Sequence, residues 1–309
     1  MFHLQVRPYK VQNFSKCDTC AYVDSFLQLG QGSKKAEERA ARYKEEKEKH
    51  LQYIETARTR MAEHANFARE NKKAVLYINT DAMDQKKTAV PTPRERAKED
   101  DVGLAMPVRL VGSIVYGHFF YGLWCLPQWS SSSNVTLTAI TLAIQYVQAM
   151  NRMSCEWQGG WAYLPPKLQL QLDNTAKDNK NHFLLGYCAL LLSEGLFEEV
   201  EVFFLPVGHT HNEVDQMFSL IAKAVKHHGA LSLDDLKHTA DEAWQHHRAV
   251  GTDVKLNVRM DAVMDFRKLL PHKHGLMYAE VGVRPVVKTF FSLGSERAEN
   301  SPNRQLARR

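Results

Sequence analysis

The spacing of apolar residues changes several times along the chain. Residues 34–70 are dense in Ala, Glu, Lys and Arg and contain no proline or glycine, which predicts one long helix. Its apolar positions keep no sustained heptad, so a coiled coil finds little support, and its charges read as a solvated helix face. Residues 1–33 read as irregular, with a GQGS break at 30–33. From residue 74 the pattern becomes that of strands. AVLYINTD (74–81) is a short β-rich run ending in an acid, and VRLVGSIVYG (108–117) and FFYGLWCLPQW (119–129) read as two more strands around a turn at Gly117-His118. Helical periodicity then runs over 134–152. The period-two segment KLQLQLDN (167–174) follows, also ending in an acid. A helix within 179–197 closes at Gly195, VEVFFLPV (200–207) is a strand, and a helix over 212–228 ends at Gly229. A further helix at 232–247 opens on Ser232 and Asp235, a start resembling a capping box.

This order, β-β-β-α-β-α-β-α, predicts an α/β core with a mixed five-stranded sheet. Strands in series pair antiparallel, and strands alternating with helices pair parallel through crossovers. The chain accordingly divides into 1–33, a segment with zinc-ligand chemistry; 34–73, the long charged helix; 74–229, the core; 230–293, a helix and short strands; and 294–309, a tail expected to be disordered.

Composition narrows the classes. In 309 residues, 44% hydrophobic and 24% charged positions are ordinary for a globular protein and exclude collagen-like or wholly disordered chains. The balance of 40 basic and 35 acidic residues, net +5, is compatible with a nucleic-acid partner without requiring one. Five cysteines, only two of them close together, do not make a secreted disulfide framework and point to a reducing intracellular compartment. Residues 110–127 carry no formal charge, but their serine, histidine, tyrosines and three glycines read as buried strands rather than a membrane span.

Asp81 and Asp173 close two of the strands. Either alone reads equally as a turn residue. The pair says more, because the first and fourth strands of this order can lie side by side and parallel. Their carboxylates would then meet at one edge, where mutual repulsion calls for a cation. A third acid is expected from the last core helix. There Val214, Met217, Phe218, Ile221, Ala222 and Val225 form a core-facing stripe, with Glu213 and Asp215 on its opposite shoulders. Periodicity does not choose between them. His211 lies four residues before Asp215, on the same face.

Those residues carry a resemblance. The element order with its acids resembles the ribonuclease H-like fold of DDE/DDD transposases and retroviral integrases. More closely, LYINTDAMDQKK, LQLDNTAKDNKNHFLLG and FFLPVGHTHNEVDQMFS are similar to an uncharacterised family of transposase-like domains in eukaryotic mobile-element proteins, over about residues 14–270. The resemblance implies a polynucleotidyl transferase or nuclease that cuts or joins DNA in the nucleus, with no membrane association and a homo-oligomer as a compatible assembly. It implies a catalytic triad of Asp81, Asp173 and Asp215, with Glu213 as the alternative third acid because many transposases use Glu there. Two Mg²⁺ or Mn²⁺ ions would serve the phosphodiester chemistry, Asp81 bridging both. Asp84, Asn174, His209 and His211 would support the metal ligands, and Lys86, Lys177 and Lys180 would meet phosphates at the same edge. The alternative from another class is a domesticated, catalytically silent domain of the same fold that binds nucleic acid or protein.

Two other constellations bear on metals. Cys17 and Cys20 in CDTC have zinc-ligand spacing but make only half of a four-ligand site. They read either as part of a Zn²⁺ site or as two unliganded thiols. His3 and His50 are candidate partners, and the resembling family pairs such a motif with a downstream His. His50 and His64 do not share one site, since 14 residues of straight helix span about 21 Å. The H-x-H of His209 and His211 followed by an acid suggests a metallohydrolase, but no matching ligand series follows. The two histidines otherwise read as orienting the turn.

Overall fold

The structure, a computed structural model, describes residues 17–29, 34–95, 105–129, 132–158, 164–175, 178–205, 212–245, 255–259, 262–270 and 289–292. The chain divides into two units, residues 1–59 with 206–210 and residues 60–205 with 211–309.

In the first unit, α1 (Asp18–Leu29) occupies sequence expected to be irregular. α2 runs over Lys34–Glu70, the span read from composition. The division between the units falls inside α2, after Thr59. From Arg60 onward, Ala65 and Ala68 are buried with Met61 packed beside them.

The second unit is an α/β structure built on one mixed sheet. Its strands are β1 (Val75–Ala82), β2 (Arg109–Val115), β3 (Phe119–Cys125), β4 (Lys167–Leu172), β5 (Glu199–Phe204), β6 (Lys255–Arg259) and β7 (Thr289–Ser292). They lie in the order β6-β3-β2-β1-β4-β5-β7. β2 is antiparallel to β1 and β3, and β4 is parallel to β1 and β5. The turn between β2 and β3 needs a positive φ, supplied by Gly117 at +80°.

The expected five-stranded mixed sheet is present as β3-β2-β1-β4-β5 and is extended to seven strands by one strand at each edge. Segments assigned to a separate C-terminal extension pair with both edges, β6 parallel to β3 and β7 antiparallel to β5. Left unpaired, those edges would expose free backbone groups.

Helices cover both faces, which is why β2 and β3 read as nearly unbroken apolar runs. One face packs against α3 (Ser133–Gln158) and α4 (His182–Ser193), through Leu76, Ile78, Val111, Leu168 and Leu170. The other packs against the end of α2, α5 (Glu213–His228) and α6 (Leu233–Gln245), through Val75, Tyr77, Leu110 and Ile114. α6 opens as its sequence indicated. The Asp235 N–H donates to Ser232 Oγ at 3.1 Å and the Ser232 N–H donates to Asp235 Oδ2 at 3.0 Å. A last short helix, α7 (Phe266–Leu269), adds Phe266 to the α3/α4 core. Among the described residues no helix is long and apolar enough to cross a membrane.

Candidate active site

β1 and β4 are in parallel register, with Thr80 opposite Leu172. Asp81 and Asp173 are the next residues on each chain, about one strand spacing of 4.8 Å apart. Alternation along the strands decides the face. Leu76 and Ile78 of β1, with Leu168 and Leu170 of β4, point toward α3 and α4, so Asp81, of opposite parity within β1, falls on the other side, toward α5, while Asp173 lies one residue beyond β4.

α5 begins at this edge. Asn212 caps it, its side-chain oxygen accepting from the N–H of Val214 at 2.8 Å and of Asp215 at 3.1 Å. The Asp215 carboxylate accepts from the Asn212 N–H at 3.1 Å, closing a capping box. The Asn212 side chain also hydrogen-bonds Asp81, which ties the helix start to the end of β1. Gly112, the register partner of Asp81 on β2, permits the close approach. A Cβ there would lie 2.7 Å from the Phe218 ring and 2.9 Å from Val214 Cγ1, both on α5.

Asp81 feels the charges of both other acids. Burial, then the charge of Asp215, then that of Asp173 push the Asp81 carboxyl up to about 8, against hydrogen bonds from the Ala82 N–H and Asn212. Asp173 is also raised, by burial and by the charge of Asp178, with the Asn174 N–H acting in the opposite sense. Among the described residues no Lys or Arg forms an ion pair with Asp81 or Asp173.

Glu213 turns elsewhere. Its carboxylate pairs with Arg69 Nη2 at 3.2 Å, and that guanidinium lies 4.9 Å from the centre of the Tyr116 ring. Glu213 and burial together raise the Tyr116 hydroxyl. Its role is to fasten α5 to the end of α2. Glu213→Gln is therefore expected to destabilise the fold by about 1–3 kcal/mol in thermal or urea melts, with divalent-metal affinity unchanged.

Asp81 and Asp173 line a cleft of about 220 Å³, together with Arg109, Ser132, Thr136 and Asp178. Gln85, on the turn Gln85–Lys87 after β1, sets its side-chain amide 2.5 Å from Arg109 Nη2 and 2.8 Å from Nε, and these two donors assign the amide oxygen to that side, where it holds the guanidinium. Asn179 donates to the Asp173 carbonyl at 3.2 Å and holds the loop after β4.

The other residues singled out by sequence are dispersed. Asp84 caps the 85–87 turn by accepting from the Lys86 N–H, away from the cleft lining. Asn174 reaches the Leu205 carbonyl at 3.5 Å, and Lys180 Nζ lies 5.7 Å from the centre of the Phe204 ring. Lys177, His209 and His211 lie outside the described residues. Cys17 and Cys20 belong to the first unit. Sequence reasoning passed over Asn212, Arg109 and Asp178. Asn212 carried a readable signal, an N-x-x-D start directly before an amphipathic stripe.

No curated protein and no solved structure matches the chain. A family model does match, over residues 98–280, which is more than half of the chain. The matched span takes in Asp173 and Asp215 and begins after β1 and Asp81. The chain belongs to the family described as domain of unknown function DUF7869.

Proposed function

We propose that this chain is a metal-dependent nuclease or polynucleotidyl transferase of ribonuclease H-like fold, acting on DNA at Asp81, Asp173 and Asp215. The observation that carries the reading is that Asp81, near the end of β1 and in register beside the end of β4, feels the charges of both Asp215, in the first turn of α5, and Asp173. The central order β3-β2-β1-β4-β5, with only β2 antiparallel to its neighbours, supports the same fold reading. The donor set fits hard divalent cations. It is all oxygen, Asp81 and Asp173 line a polar cleft, and burial followed by the charges of Asp215 and Asp173 raises the Asp81 carboxyl to about 8 when no cation is bound.

The chemistry such ions supply when bound is charge neutralisation on the attacking and leaving oxygens of a phosphodiester. The chain's own residues do the rest. Asp81 feels the charges of both other acids, Asn212 orients it, and Asn179 fixes the loop that bears Asp173. Arg109 offers a held guanidinium to a phosphate lying in the cleft. A DNA substrate carries with it the nuclear setting that the resemblance implies. Arg109→Ala is expected to raise KM more than it lowers kcat and to reduce the salt slope of DNA binding by about one, measured by titration at several ionic strengths.

The test is nicking of supercoiled plasmid by the purified chain. Open circles should appear with Mg²⁺ or Mn²⁺, vanish with chelator, and form on the order of 100-fold more slowly with Asp173→Ala. DNA binding without metal-dependent nicking would instead identify a catalytically silent domain.

A further inference from the structure

The first unit holds a second group of metal-ligating side chains. Cys17 stands at the start of α1, its carbonyl accepting from the Ala21 N–H at 2.8 Å, and Cys20 lies in the first turn. Neither is in a disulfide; Cys17 is buried and Cys20 half-buried. His50 comes from the middle of α2, and its Nε2 is 3.2 Å from Cys17 Sγ. The ligand atoms of Cys17, Cys20 and His50 all lie within 4.8 Å of one another. A tetrahedral ion with metal–sulfur bonds of about 2.3 Å and metal–nitrogen bonds of about 2.0–2.1 Å brings its ligands roughly 3.3–3.8 Å apart. Small side-chain rotations therefore close the three atoms around one ion.

The surroundings fit a site that holds two helices together. One turn before His50 on α2, Lys47 Nζ pairs with Asp24 Oδ1 of α1 at 2.6 Å. Tyr22 and Tyr43 meet edge to face, with centroids 6.0 Å apart. Among the first unit's described residues the buried hydrophobics are Cys17, Val23 and Ile54. A 12-residue helix such as α1 is marginal alone. A C-x-x-C pair within reach of a histidine Nε2, with no disulfide formed, is a metal-ligand arrangement.

We infer that Cys17 Sγ, Cys20 Sγ and His50 Nε2 bind one structural Zn²⁺ that clamps α1 to α2. Two thiolates and an imidazole are a borderline-soft donor set suited to zinc rather than to the hard cation proposed for the carboxylate cluster. Binding releases two thiol protons to solvent. The three side chains leave the fourth tetrahedral position open to a further ligand. This site stands whether or not the chain cuts DNA.

The experiment is metal analysis of the full chain purified without added chelator, with X-ray absorption at the zinc edge. One zinc per chain is expected, with two sulfur neighbours at about 2.3 Å and nitrogen at about 2.0–2.1 Å. Cys20→Ser and His50→Ala should lose it, and His64→Ala should keep it. Since the cysteine variant can fail by misfolding, exchange of Co²⁺ into the unaltered chain gives a second reading, thiolate-to-cobalt charge-transfer absorption. Substoichiometric zinc with no such absorption overturns the inference. So does a Cys17–Cys20 disulfide in the chain as isolated, or full zinc retention by His50→Ala.

Discussion

Asp81→Asn is expected to leave the chain more stable and inactive. With no cation bound, the Asp81 carboxyl is pushed up to about 8 by burial and by Asp215 and Asp173, whereas in the unfolded chain an aspartate titrates near about 3.9. The folded state thus binds the extra proton between those values. The linkage sign follows directly. The favourable contribution is complete below about pH 4 and is lost as pH rises toward about 8. Asparagine keeps the shape and removes the charge. Melting temperatures in chelator, followed from about pH 4 to pH 9, should fall for the unaltered chain across this window and fall less for the variant. Each kcal/mol relieved corresponds to a shift of roughly 2–4 °C. Saturating Mg²⁺ should restore the unaltered chain at high pH and do little for the variant. Nicking by the variant should be lost by on the order of 100-fold or more. Parallel melting curves for the two proteins would mean that Asp81 carries no such penalty.

Gly112→Val should damage both stability and activity from a position that bears no chemistry. Gly112 sits opposite Asp81, and even a Cβ would meet the Phe218 ring at 2.7 Å and Val214 at 2.9 Å. Both neighbours are buried on α5. The larger side chain must push away the start of the helix that carries Asn212 and Asp215. Overpacking of this kind costs about 1–3 kcal/mol, and a displacement of about 1 Å at a reacting constellation costs roughly 100-fold in rate. Urea denaturation reads the first effect, and plasmid nicking at a temperature where the variant remains folded reads the second. A variant that loses stability but cuts at the normal rate would show that the position of α5 is not needed for the chemistry.

What could be read from the sequence follows from which forces are local. The bounds of α2 were legible because composition alone sets them, and β1 to β5 because their apolar runs and turn residues are local signals. The placement of Asp81 beside Asp173 followed from element order, since a crossover makes the first and fourth strands parallel neighbours. α1 was hidden because its 12 residues are stabilised by contacts with α2, such as Lys47 to Asp24, rather than by their own propensity. β6 and β7 were visible as short strands but not as parts of this sheet, because an apolar pattern names no pairing partner. The orientation of Glu213 was unreadable for a similar reason. Both shoulders of the α5 stripe look alike locally, and the distinction is made by Arg69, 144 positions away in sequence. Arg109 looked like an ordinary charge at a strand start until Gln85 and the cleft gave it a setting.

The central claim is that Asp81, Asp173 and Asp215 hold divalent cations together. Anomalous diffraction from crystals of the full chain soaked in Mn²⁺ tests it most directly. The account predicts two manganese peaks roughly 3.5–4 Å apart, with Asp81 touching both, Asp173 and Asp215 one each, and Glu213 still paired with Arg69. A map with no peak among these three carboxylates, or with manganese bound only elsewhere on the chain, would contradict it.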